Sequence, residues 1–131
     1  MKICVTAVSG SFDAQLDPRF GRCPYFVIVD SETMKFEIVP NIASGSMSGA
    51  GIQGAQTVAS KGVKVIITGN LGPNAFKALS TAGIKVVTGA FGTVREVVEK
   101  YKRGELKETE TSTVQEHFGM GMGRGRGRRR W

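Results

Sequence analysis

The sequence predicts an α/β domain in which a five-stranded mixed sheet carries helices on both faces. Three observations lead there. In the second half of the chain, short apolar runs alternate with stretches of helical periodicity. Glycines stand where the helical stretches end, at Gly62, Gly83 and Gly104, and a helix exit favours a residue at positive φ. The run Val63-Lys64-Val65-Ile66-Ile67 is too apolar for a strand with one wet face, so it reads as a parallel strand covered on both sides.

Taken in order, Ile3 to Val8 form the first strand and Ser9-Gly10-Ser11 ends it. Residues 12–23 carry proline, glycine, two aspartates and two arginines, and form a long ordered loop. Tyr25 to Asp30 is a β-prone second strand. A turn over 30–33 returns the chain through Lys35 to Val39 as an antiparallel third strand, which Pro40 stops. A Gly/Ser-rich connection over 41–51 leads to a helix over about 51–61, where Ile52, Ala55 and Ala59 fall at helical spacing. The fourth strand covers about 63–68. Pro73 suits the first position of a helix over about 73–82. Ile84 to Thr88 give the fifth strand. Thr93-Val94-Arg95-Glu96 matches a capping box, and Val94, Val97, Val98 and Tyr101 mark the apolar face of the third helix.

Right-handed crossovers through the first two helices make the simplest sheet order 3-2-1-4-5, with the second strand antiparallel to the rest. This is the ribonuclease H-like arrangement of three layers. It brings the 9–24 loop, the 40–51 connection, and the turns at 69–73 and 89–93 to one end of the sheet. In open α/β sheets that end is where ligands bind.

After Leu106 the hydrophobic periodicity vanishes, so the domain is expected to span 1–106, with 107–131 a flexible tail. The net charge of +7 belongs to that tail. Five arginines between 124 and 130 leave 13 basic and 11 acidic side chains in residues 1–118. No apolar run approaches the roughly 20 residues that span a bilayer. Two cysteines in unlike surroundings do not form a disulfide framework, and a cytoplasmic location is expected.

The inventory excludes several chemistries. Gly49-Ala50-Gly51-Ile52-Gln53-Gly54 matches GxGxxG, but a loop of about ten residues precedes it and the next strand ends in Thr68-Gly69-Asn70 without a carboxylate. A dinucleotide site is therefore rejected. A two-metal nuclease needs clustered acids, and the first strand offers Cys4, Thr6 and Val8 instead. No Ser-His-Asp or Cys-His set is suggested by spacing, so the protein is not expected to be an enzyme.

Two readings fit the loop Asp17-Pro18-Arg19-Phe20-Gly21-Arg22-Cys23-Pro24. In the structural one, Arg19 or Arg22 pairs with Asp13 or Asp17, Phe20 plugs the core and Cys23 is a small buried filler. In the functional one, two guanidinium groups and a thiol beside two helix N-termini suit an anionic, thiophilic ligand. His117, the single histidine, lies in the polar tail with the soft donors Met120 and Met122. The tail's RGRGRRRW suits phosphate contacts with base stacking on Trp131, a route to nucleic acid.

The strings RFGRCPYFVIVD (19–30), GAGIQGAQTVASKGVKVIITGNLGPNAFKALSTAGIKV (49–86) and the opening KICVTAV closely resemble the dinitrogenase iron-molybdenum cofactor biosynthesis family, over about residues 1–103. The Phe20-Gly21-Arg22 loop and the Thr68-Gly69-Asn70-x-Gly72-Pro73 turn carry the resemblance. It implies a ribonuclease H-like fold without nuclease activity, and a carrier for an iron-molybdenum or related metal–sulfur cluster or its precursor. It also implies P-loop ATPases of the iron–sulfur carrier type as neighbours. Some relatives ligate a cluster through histidine. This core has none, which favours amides, arginines and Cys23.

The expected site therefore combines the loop Arg19, Phe20, Gly21, Arg22 and Cys23 with the helix start Ser48, Gly49, Gly51 and Ile52. The turn Thr68, Gly69, Asn70 and Gly72 completes it. Cys23 and His117 are the candidate metal ligands. Two alternatives stay open: nucleic-acid binding through the tail, and an enzyme or binder for a small anionic metabolite at the same edge.

Overall fold

The computed structural model describes residues 1–45 and 49–110. Strands β1 (Lys2–Ala7), β2 (Tyr25–Asp30) and β3 (Phe36–Pro40) come first. They are followed by α1 (Ala50–Ser60), β4 (Val63–Ile67), α2 (Pro73–Thr81), β5 (Lys85–Val87) and α3 (Val94–Lys102). The sheet order is β3-β2-β1-β4-β5. β2 runs antiparallel to both neighbours, whereas β1, β4 and β5 are parallel. The predicted ribonuclease H-like arrangement is the observed one.

Strand alternation sorts the core into two layers. Ile3, Val5, Val27, Val29, Val65 and Ile67 face α3 and meet Val94, Val97 and Val98. Cys4, Phe26, Ile28, Ile66 and Val86 face the opposite way and meet Ala55 and Val58 of α1 and Ala75 and Leu79 of α2. Val63 breaks the alternation, joining the α1/α2 side together with Ile66. The β1–β4 register explains it: Lys2 pairs with Val63 but Ile3 pairs with Val65, so one extra residue in β4 re-aims Val63.

Pro40 does not stop β3 ahead of itself but closes it as its last residue, on an edge strand where a missing N–H costs least. Val8 falls outside β1 and is exposed. Thr93 and Glu96 form both halves of the capping box. The 9–24 loop is ordered by backbone bonds to its surroundings, including Asp17 N to Thr6 O (2.8 Å) and Leu16 N to Gly92 O (2.8 Å). The expected boundary after Leu106 is not where contacts end, because Thr109 is hydrogen-bonded to β5.

Candidate functional site

Two helices begin side by side at the predicted end of the sheet. α1 starts on Gly49, whose φ of 77° is left-handed, and α2 starts on Gly72 with Pro73 behind it. Among the described residues neither N-terminus has a side-chain cap, and neither first turn holds an acidic residue. Their leading amides therefore keep the partial positive charge that side-chain acceptors elsewhere offset. Small residues bring the helices together: a Cβ added to Gly51 would lie 3.0 Å from the Ala75 Cβ. Between the two starts lies an open concavity of about 230 Å³, lined by Phe20, Gly49, Gly51, Ile52, Gly72, Pro73, Asn74 and Ala75.

The arginine loop docks onto this end through main chain. Gly21 has φ 91°, and a Cβ there would sit 3.0 Å from the Gly51 Cα and N, so the loop backbone lies against the first turn of α1. Asn70 N donates to Pro18 O (2.7 Å) and Phe20 N donates to Asn70 O (3.3 Å). Gly69 is pressed so close that a Cβ would come within 2.6 Å of the Pro18 Cα and Cβ. Phe20 is buried against Phe26, with ring centroids 5.8 Å apart, beneath Gly54 of α1.

Beneath the loop a polar chain ties the strand ends together. The Thr6 hydroxyl donates to Asp17 O (2.6 Å) and shares a 2.8 Å bond with the Thr68 hydroxyl. The buried Asp17 carboxylate accepts from the Arg19 backbone N (2.9 Å), Nε (3.0 Å) and Nη2 (2.8 Å). The Arg19 guanidinium holds that carboxyl below its usual range, against the opposing effect of burial. The Arg19 side chain remains 64% exposed, so its outer face is open to solvent. Arg22 Nη1 donates to Ser44 O (3.1 Å).

Most of the predicted set is brought together: the backbone of 19–21, the α1 start at Gly49, Gly51 and Ile52, and the turn at Gly69, Asn70 and Gly72. Corrections concern the side chains. Arg19 follows the structural reading by pairing with Asp17, and Phe20 is the core plug. The concavity is lined by Phe20 and by neither arginine. Thr68 is fully buried and ties strands together without facing the rim. Cys23 is fully buried in the α1/α2 core, where burial pushes its thiol up to about 12. In this structure the sulfur fills the core as a small apolar group and does not line the concavity. Among the described residues no group of three or more His, Cys, Asp or Glu is placed to hold a metal. Ser48, His117, Met120, Met122 and the Arg/Gly segment lie outside the described residues.

One organising residue escaped the sequence reading. Buried Asn41 donates through Nδ2 to Gly21 O and Cys23 O, both at 2.9 Å, and accepts from Ala43 N (3.2 Å) through Oδ1. It pins the arginine loop to the turn that precedes α1. Its signal was an asparagine after a proline, a turn-forming pattern that does not reveal a distant partner.

A family model described as dinitrogenase iron-molybdenum cofactor matches residues 1–104. An uncharacterized protein of Methanocaldococcus jannaschii is 34% identical over 99 residues, covering 73% of this chain and 84% of that protein. Among solved structures, the apo form of the orange protein from Desulfovibrio gigas superposes with a TM-score of 0.84 at 42% identity, over 86% of this chain and 95% of the other. A Thermotoga protein named for NifB superposes with a TM-score of 0.73 at 32% identity, over 86% of this chain and 97% of the other.

Proposed function

The chain belongs to the dinitrogenase iron-molybdenum cofactor family, and on that premise we propose that it is a non-catalytic carrier that holds an anionic metal–sulfur cluster, or its thiometallate precursor, at this rim. The observation that carries the reading is the pair of uncapped helix starts opening on one concavity. Amides aimed at a shared volume are a ready anion site, and two helices supply it from two directions. The donors would hydrogen-bond sulfide or oxide atoms on the ligand's surface while its metals keep their own ligands. Arg19 adds a positive face beside the turn at Asn70, held in orientation by Asp17. A ligand held by hydrogen bonds and charge leaves without breaking a covalent bond, which suits a carrier.

The chemistry of the donor set supports binding over catalysis. Asp17 is committed to Arg19, and Asp13 to Arg95 at 2.8 Å, which leaves neither as an available base. The test is anaerobic reconstitution of the purified protein with iron, sulfide and molybdate, followed by desalting, visible absorption and metal analysis. A chromophore that travels with the protein in fixed ratio is expected, weakened in Arg19→Ala. Protein that emerges colourless and metal-free would remove the proposal. Recovery of a bound organic anion by mass spectrometry would move the site to the small-metabolite reading.

A further inference from the structure

The last described residues bring the chain back toward the rim. α3 starts there, where Val94 N donates to Ala14 O and Leu16 N donates to Gly92 O. It ends at the opposite end of the sheet, where Lys102 Nζ lies 3.5 Å from Met34 Sδ in the turn between β2 and β3. Residues 103–109 then return along the β5 edge. Thr109 N donates to Val86 O (2.6 Å), and Thr88 N donates to Thr109 Oγ1 (3.0 Å). One residue bonded to groups two apart on its neighbour is the pattern of a parallel pair, here with the hydroxyl in place of the carbonyl. The segment therefore runs in the direction of β5, toward the turn at 89–93. It does so on the helical face that carries the candidate site, because Glu108, Thr109 and Glu110 share a concavity of about 260 Å³ with Phe76 and Ser80 of α2.

We propose that the segment after Glu110 crosses the start of α2 and closes the rim concavity over its ligand, with residues 117–130 as the cationic wall that the described residues leave open. The inference rests on the anionic-ligand reading above. Reach allows it. A sphere of 260 Å³ is about 8 Å wide and α2 with its side chains about 10 Å, so the path from Glu110 across α2 is about 20 Å. Residues 111–117 alone span about 23–25 Å when extended. Charge then decides when closure occurs. No acidic residue follows Glu116, and Arg124, Arg126, Arg128, Arg129 and Arg130 lie within reach of the rim. The rim itself presents the uncapped amides of α1 and α2 and the exposed face of Arg19, all of the same sign. Two positive surfaces repel across an empty concavity and are joined by an anion between them, so closure is coupled to loading. The attachment at Thr109 holds the wall at high effective concentration beside the site.

The test uses the full chain, with tetrathiomolybdate as the anaerobic probe. A nitroxide placed through Gln53→Cys sits on an exposed position of α1 near the rim, and fully buried Cys4 and Cys23 leave it the accessible thiol among the described residues. Amide shifts at Gly51 and Asn74 report occupancy of the rim, and label-induced broadening of residues 117–130 reports closure. Titration should shift the rim amides and broaden the C-terminal ones together. A mixture of spin-labelled, isotope-free protein with isotope-labelled protein lacking the nitroxide should show no broadening. Replacing the five arginines by glutamine should weaken binding by about ten-fold or more and abolish the broadening. Rim amides that shift while 117–130 stay sharp, with equal affinity in the glutamine variant, overturn the wall and leave the rim reading standing. Broadening in the mixture overturns closure within one chain. Rim amides that do not respond to the probe overturn the rim reading and the wall with it.

Discussion

Replacing Gly72 by aspartate should separate stability from ligand binding, moving them in opposite directions. Gly72 is the residue before the first turn of α2, with φ −79° and ψ 170°, and an added Cβ there meets nothing within 4 Å. Aspartate fits that conformation and caps the Asn74 and Ala75 amides from the N-cap position. Against glycine the cap is worth a few tenths of a kcal/mol, and the charge at the helix start adds about 0.3–1 kcal/mol. Loss of glycine's unfolded-state freedom adds about 0.4–1 kcal/mol. The sum is about 1–2 kcal/mol, or a rise of roughly 4–10 °C in Tm for a domain of this size. The same carboxylate occupies the amides that line the concavity. A negative charge about 6 Å from an anionic ligand at an effective dielectric of about 20 costs about 3 kcal/mol. Screening at an open rim leaves a loss of at least about ten-fold in affinity. Gly72→Asn is the control, since it caps without charge and should retain most of the binding. Thermal unfolding by circular dichroism and anaerobic titration with tetrathiomolybdate read the two quantities. A stabilised Gly72→Asp protein that binds as tightly as wild type would refute the amide-lined site.

The remaining expectations concern the supports of the rim. Gly69→Ala should cost about 1–3 kcal/mol in urea unfolding, because its Cβ would meet Pro18 backbone at 2.6 Å and neither chain can yield without opening the Asn70 turn. Asp17 has a depressed pKa in the fold, so its contribution is complete above the usual carboxylate range and fades as pH falls through the lowered value. Asp17→Asn should therefore be less stable near neutrality and show a shallower loss of stability on acidification, followed by urea midpoints across the acid range. Cys23 should resist iodoacetamide at pH 8, its thiolate fraction being about a thousand-fold below that of a free cysteine, and should react on unfolding. Cys23→Ala should leave ligand affinity unchanged, and a large loss would restore the thiol as a ligand.

The legible parts of this fold are those set by local rules. β2 begins and ends on the predicted residues, and the Thr93–Glu96 box forms as read, because strand propensity and capping act within a few residues. The sheet order followed from the handedness of two helical crossovers. What stayed hidden depends on distant partners. Nothing in Val63-Lys64-Val65 announces a bulge, since apolar residues are accepted on both faces of a covered strand. Thr109 sits in a polar run without periodicity, and its attachment to Val86 and Thr88 arises from three hydrogen bonds rather than buried surface. The candidate rim was readable as a backbone pattern, in its glycines and helix starts. The side-chain roles were not: whether Cys23 points to the rim or to the core turns on the packing of Asn41 against the loop.

Gly21 and Gly51 meet with no space for a side chain between them, so this part of the rim is made of main chain. Main-chain surfaces are hard to retune, because no point substitution alters them without displacing a loop or a helix. Freedom to vary lies instead at the perimeter, where Ile52 and Asn74 are exposed beside the concavity. A lineage that changed its cargo on this scaffold would record the change at those two positions, while the glycine contact beneath them stayed as it is.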